Sequence, residues 1–117
     1  MSSSGIVCAV WTVVDPLGTE IRLTRRCWER HILVEHPIMR IFTRQARMSV
    51  QHPDLIFGSK VSADTRLYFK QYFRRSLGRF YIMVVVGTSK TKQRGFVKTA
   101  FLVYNLSKGG RLLWERS

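Results

Sequence analysis

The sequence predicts an α+β domain in which two N-terminal helices pack on one face of a four- to five-stranded antiparallel sheet. Two observations carry this. Apolar residues recur at helical spacing between Thr24 and His52, and from Leu55 onward the period changes to two, with short turn-rich connections between the runs. Helices first and closely connected strands afterwards favour helices segregated to one side of an antiparallel sheet. A chain of 117 residues, 45% hydrophobic and 12% aromatic, is enough for one core and hence one domain spanning 1–117.

The elements follow in order. Ile6 to Val14 is apolar and β-branched, and Asp15-Pro16-Leu17-Gly18 is a turn signal, so residues 1–19 read as a strand-bearing N-terminal extension. Thr24 suits the N-cap of a helix reaching Glu35, with Trp28 and Ile32 on one face. His36-Pro37 ends it, because the residue before proline avoids the helical region. Pro37 then opens a second helix. Ile38, Ile41, Phe42, Gln45 and Met48 form its core-facing stripe, and Arg40, Arg44 and Arg47 a basic ridge; His52-Pro53 closes it. Leu55–Lys60, Arg66–Arg74, Arg79–Thr88 and Phe96–Tyr104 read as strands, with Arg111–Glu115 as an edge piece.

Charge narrows the function. There are 20 Lys+Arg against 7 Asp+Glu, a formal net charge of +13. Residues 1–64 hold 8 basic and 6 acidic side chains, whereas 65–114 hold 11 basic and no acidic ones. Such an excess points to a polyanion, nucleic acid before membrane, since the charge lies on strands rather than on an amphipathic helix. No apolar run approaches the ~20 residues of a membrane span, and Met-Ser-Ser-Ser-Gly has no basic region followed by a long apolar stretch, so a secretory leader is not expected. Cys8 and Cys27 lack Cys-x-x-Cys spacing and read as free thiols in a reducing compartment, so a cytoplasmic location is expected.

Strand Arg66–Arg74 alternates sharply. Arg66, Tyr68, Lys70, Tyr72 and Arg74 interleave cations with tyrosines, a pattern suited to holding phosphates and stacking bases. Leu67, Phe69, Gln71 and Phe73 are then expected beneath the helices. The alternative for the first set is a solvated face whose charges keep the sheet soluble. Arg79 and Tyr81 extend this surface onto the next strand, Lys98 onto the one after, and Thr99 is a hydroxyl in an otherwise apolar run. His31, with Glu35 four residues on, and His36 and His52 supply groups able to move protons near neutral pH. The seven carboxylates are scattered, with no paired arrangement for magnesium and no Cys/His spacing for zinc, so neither metal nor cofactor is expected. RNA remains the substrate that can be cut without metal, because its own 2′-hydroxyl attacks the adjacent phosphate.

Leu23-Thr24, Trp28, His31-Ile32 and His36-Pro37 stand in the order Leu-Thr-x3-Trp-x2-His-Ile-x3-His-Pro. Pro53-Asp54-Leu55-Ile56, Leu67-Tyr68-Phe69, Tyr81 to Val86, Phe96-Val97-Lys98-Thr99-Ala100-Phe101 and Leu113-Trp114 follow. Over residues 20–115 this ordered set resembles the phage-associated nuclease domains of the barnase–EndoU–colicin–RelE-like fold. The resemblance implies a metal-independent endoribonuclease, toxin- or phage-effector-like, acting on tRNA, mRNA or ribosome-associated RNA, and sometimes held by an acidic inhibitor protein. Carried onto this chain, it implies His31 as the acid–base residue, His36 as the second motif histidine and Thr99 as a donor to phosphate. Lys70 joins this catalytic set, and Arg74 the RNA-binding one, by the strand-face argument. The alternative expectation is a non-catalytic RNA-binding module, or a subunit of a nucleoprotein complex, using the same basic sheet.

Overall fold

Alternating apolar residues organise most of the chain into one mixed sheet, seen in a computed structural model that describes residues 8–106 and 110–117. Its seven strands are β1 Ala9–Val14, β2 Glu20–Thr24, β3 Leu55–Gly58, β4 Thr65–Arg74, β5 Gly78–Thr88, β6 Arg94–Val103 and β7 Leu112–Glu115. They lie in the order β1-β2-β6-β5-β4-β3-β7. The α+β class holds, but seven strands replace the expected four to five. Ile6 and Val7 of the expected first strand lie outside the described residues.

The middle of the sheet is the antiparallel meander β3-β4-β5-β6. The β1–β2 hairpin joins it through a parallel pairing of β2 with β6, and β7 adds outside β3. Strand β2 was not foreseen, although Ile21 and Leu23 alternate with Glu20 and Arg22 and are fully buried. Five residues between a turn and an N-cap give too short a pattern to weigh without its partner strand. The turn before it is as expected. The Asp15 carboxylate accepts the Leu17 and Thr19 amides at 2.9 and 2.8 Å, and Gly18 takes the left-handed φ of 87°.

Both helices fall between β2 and β3. Thr24 caps the first, its hydroxyl accepting the Cys27 amide at 3.1 Å. This helix runs as an α-helical turn Arg25–Cys27, a π-helical stretch Trp28–Ile32 and a final turn Leu33–Glu35. In the wide stretch the Leu33 amide bonds the Trp28 carbonyl five residues back. His36, at φ −135° and ψ 72°, ends it before Pro37. The second helix opens with a 3-10 segment, Pro37–Phe42, and continues as α-helix over Thr43–Gln51.

That tight opening corrects the expected stripe. At three residues per turn, Met39 and Phe42 share a face, and the α-helical part continues it through Ala46, Ser49 and Val50. Ile38 and Ile41 are exposed instead. Beneath the helices the core takes Ile56, Tyr68, Phe80, Ile82, Val84, Val86, Val97 and Ala100 from the sheet, and Trp11, Val13, Ile21 and Leu23 from the hairpin.

Strand β4 is turned over relative to expectation. Arg66, Tyr68, Lys70, Tyr72 and Arg74 face the helices, and the opposite set faces away. Tyr68 is fully buried, and the Tyr72 hydroxyl donates to the Gln45 carbonyl of the second helix at 2.8 Å. The Arg74 guanidinium lies 4.8 Å from the centre of the Phe42 ring. Arg66 is buried because the Asp15 carboxylate, itself sealed from solvent, meets it at 3.0 Å. A period of two defines two faces but not which is covered, and a change of phase moves every side chain together.

Candidate nucleic-acid interface

The uncovered face of the sheet is aromatic. Cross-strand pairing aligns Phe69 with Met83 and Met83 with Phe101, Gln71 with Tyr81, and Val85 with Thr99. Phe57 and Tyr81 meet Phe69 edge-on, with ring centres 5.9 and 6.3 Å away. Phe69 and Met83 are buried by these neighbours although no helix covers them, while Phe73 and Phe96 are exposed. The exposed rings, Phe73 and Phe96, offer faces against which a base can stack.

Its cations come from the rim. Arg79 is exposed and pairs with Phe73 at one end. A bulge in β6 pairs Val97 with Val86 and Thr99 with Val85, leaving Lys98 as the extra residue. The Lys98 stem then crosses β5 at Gly87, where an added Cβ would lie 2.8 Å from Lys98 Cε. Its Nζ reaches the Thr65 hydroxyl at 3.0 Å. Thr99 Oγ1, next along, is buried without a hydrogen-bond partner.

One motif histidine, His36, approaches this face from the β6 side. Strand β2 covers only Arg94–Phe96 of that edge, so the first helix lies against the remainder. Cys27 Sγ donates toward the Val97 and Lys98 carbonyls at 3.3 and 3.5 Å, and burial raises this thiol's pKa, keeping it a donor. Beyond the helix end, His36 stacks on Phe101 with ring centres 4.9 Å apart and planes 25° from parallel. His31 is half-exposed, its Nε2 3.6 Å from Glu35 Oε1. The helix end therefore delivers His36 to the strand that carries Lys98, Thr99 and Phe101, while His31 stands exposed on the helix beside Glu35.

The remaining expected residues are elsewhere. Lys70 is on the helix-covered face of β4, donating to the His52 carbonyl at 2.9 Å and 3.9 Å from Asp54 Oδ1. It is two strands from β6 and on the other side of the sheet from Thr99, so it does not join a site there. Arg66 and Tyr68 are buried structural residues and offer nothing to a stacked base. Tyr72 is half-buried, its hydroxyl committed to the second helix, and its pKa is pushed up to about 12, chiefly by burial. Arg74 is exposed but leans over Phe42. Arg40 and Arg44 are exposed and Arg47 half-buried, and Arg44 lines a cavity with Lys70 and Tyr72, so the ridge reaches the helix-covered side of β4.

Phe57 and Phe101 were missed as residues of the uncovered face because an apolar run reads as core; Phe69 and Met83 of that face are indeed buried. The usable signal was that β4 is apolar or aromatic at both even and odd positions. Among the described residues, no group of three His, Cys, Asp or Glu is close enough to hold a metal ion, and no helix is long and apolar enough to cross a membrane. Comparison with protein-family models, with curated proteins and with solved structures finds no match in any of the three.

Proposed function

We propose that this chain is a metal-independent endoribonuclease that holds single-stranded RNA on the aromatic face and cuts it at the β6 edge. The observation that carries the reading is His36 stacked on Phe101, two residues from Thr99, with His31 on the helix just before it. In the proposed reaction one histidine takes the proton of the ribose 2′-hydroxyl as that oxygen attacks phosphorus. The P–O5′ bond breaks, and the other histidine protonates the leaving 5′-oxygen, leaving a 2′,3′-cyclic phosphate. Lys98, rather than Lys70, is the cation beside Thr99 able to balance charge on the phosphorane. Two helices followed by the β3–β6 meander are compatible with the family resemblance, which spans residues 20–115 and so takes in β2 and β7, with β1 lying outside it.

A second reading, a non-catalytic RNA-binding module, is favoured by one feature. Thr99 Oγ1 is sealed from solvent and cannot reach a phosphate without side-chain movement. Incubating the full chain with total RNA, with and without EDTA, separates the two. The enzyme produces fragments with 2′,3′-cyclic phosphate ends in EDTA, lost in His31→Ala or His36→Ala while salt-sensitive binding persists. Binding without cleavage supports the module, and cleavage restored only by magnesium overturns the metal-free mechanism.

A further inference from the structure

A second feature lies at the opposite end of the fold's logic, on the helix-covered side of β4. A cavity of about 480 Å³ opens between the end of β3, the β3–β4 turn and the start of β7. Its lining includes Arg66, Lys92, Arg111, Ser59, Ser62 and Leu113. This volume falls in the range of small-ligand sites.

Arg66 is held there by one nitrogen. Its Nη1 lies 3.0 Å from Asp15 Oδ2, 2.9 Å from the Thr19 hydroxyl and 3.3 Å from the Tyr68 hydroxyl. Thr19 in turn donates to the Lys92 carbonyl at 2.7 Å, and Lys92 takes a left-handed φ of 62° to present it. Among the described residues Nε and Nη2 make no hydrogen bond, yet neither is a sealed, partnerless atom; only Trp11 Nε1 and Thr99 Oγ1 are. A guanidinium fixed on one side thus retains outward N–H donors, an arrangement suited to a tetrahedral oxyanion.

The other groups agree. Ser59 Oγ accepts the Val61 amide at 3.1 Å and Ser62 Oγ the Asp64 amide at 3.4 Å, so both hydroxyl protons remain for a ligand. Lys92 Nζ is occupied by Ala63 O, Asp64 Oδ1 and Thr88 Oγ1, and contributes field rather than a donor. Arg111 is exposed and has no carboxylate within ion-pair distance among the described residues. Leu113 adds an apolar wall beside the cations.

We propose that this cavity binds a phosphate monoester, its oxygens taken by Arg66, Arg111 and the hydroxyls of Ser59 and Ser62. The anion donors proposed here, Arg66, Arg111, Ser59 and Ser62, are distinct from the residues placed at the β6 edge, although Thr65 of the lining accepts the Lys98 amine. The test is titration of the full chain, by calorimetry at low ionic strength, with AMP, with adenosine and with inorganic phosphate. AMP or inorganic phosphate is expected to bind and adenosine not to; AMP stronger than phosphate marks an ester as the ligand, and equal affinity marks the free ion. Arg111→Ala, an exposed change, should weaken binding about tenfold, the loss of one charge-assisted bond. Arg44→Ala, on the second helix and outside this cavity, should leave it unchanged. Adenosine binding as well as AMP, no binding of either anion at millimolar concentration, or equal loss in both variants would overturn the proposal.

Discussion

Asp15→Asn tests the buried ion pair on which the hairpin, the β5–β6 turn and β4 converge. The Asp15 side chain is fully buried and that of Arg66 is 9% exposed. The carboxylate receives four donors: the Leu17 and Thr19 amides on Oδ1, and Arg66 Nη1 and the Tyr68 hydroxyl on Oδ2. Asparagine can keep Oδ1 for the two amides. Its NH2 group, however, then faces two donors, and Arg66 is left charged and unpaired. Breaking a buried pair from one side costs about 3–5 kcal/mol, a large part of the ~5–15 kcal/mol that stabilises a domain. With a urea slope of about 1–3 kcal/mol/M, the midpoint should fall by roughly 2 M. Tyr68→Phe removes one donor but leaves the pair, so about 1.5 kcal/mol is expected. Asp15→Asn combined with Arg66→Met removes the stranded charge and should recover most of the loss. Equilibrium urea unfolding followed by tryptophan fluorescence reads all three. An Asp15→Asn midpoint within about 0.3 M of wild type at unchanged slope would refute the reasoning.

Two further outcomes follow from the same geometry. Burial raises the Tyr72 pKa from 10.0 to about 12, so the folded state holds this proton more tightly than the unfolded chain. That contribution is complete below pH 10 and is lost as pH rises toward 12; Tyr72→Phe should flatten the alkaline fall in stability, measured by urea midpoints across this window. Thr99→Val removes a buried hydroxyl without a partner, and should leave stability unchanged or raise it by about 1 kcal/mol. If Thr99 also donates to the phosphorane, the same variant cuts RNA more slowly despite its stability, and wild-type cleavage would exclude that role.

Local signals were legible where one short segment decides the outcome. The Thr24 cap, the break at His36-Pro37, the Asp15–Gly18 turn and the β4–β5 hairpin all depend on neighbours in sequence. Ordered spacing set His31, His36 and Thr99 in one series; folding brings His36 onto Phe101, two residues from Thr99, and leaves His31 beside Glu35 on the helix. Lys70 could not be separated from them by sequence, because strand order and sheet face are long-range properties. The helix stripe failed for a local reason, the 3-10 winding of Pro37–Phe42, which shifts the phase by one residue.

The chain's charge is equally divided between what sequence shows and what folding decides. The concentration of cations between residues 65 and 114 is a fact of composition, and it favours a polyanionic partner. Folding then separates those cations by task. Arg66 turns inward to Asp15, Lys70 to His52 and Arg74 to Phe42, because the helices cover that side of β4. Lys98 and Arg79 remain with the rings of the other side. Sequence alone thus determined the periods, the caps and the sign of the field. Only the tertiary structure decided which face of the sheet was buried, since alternation is symmetric until something packs on one side.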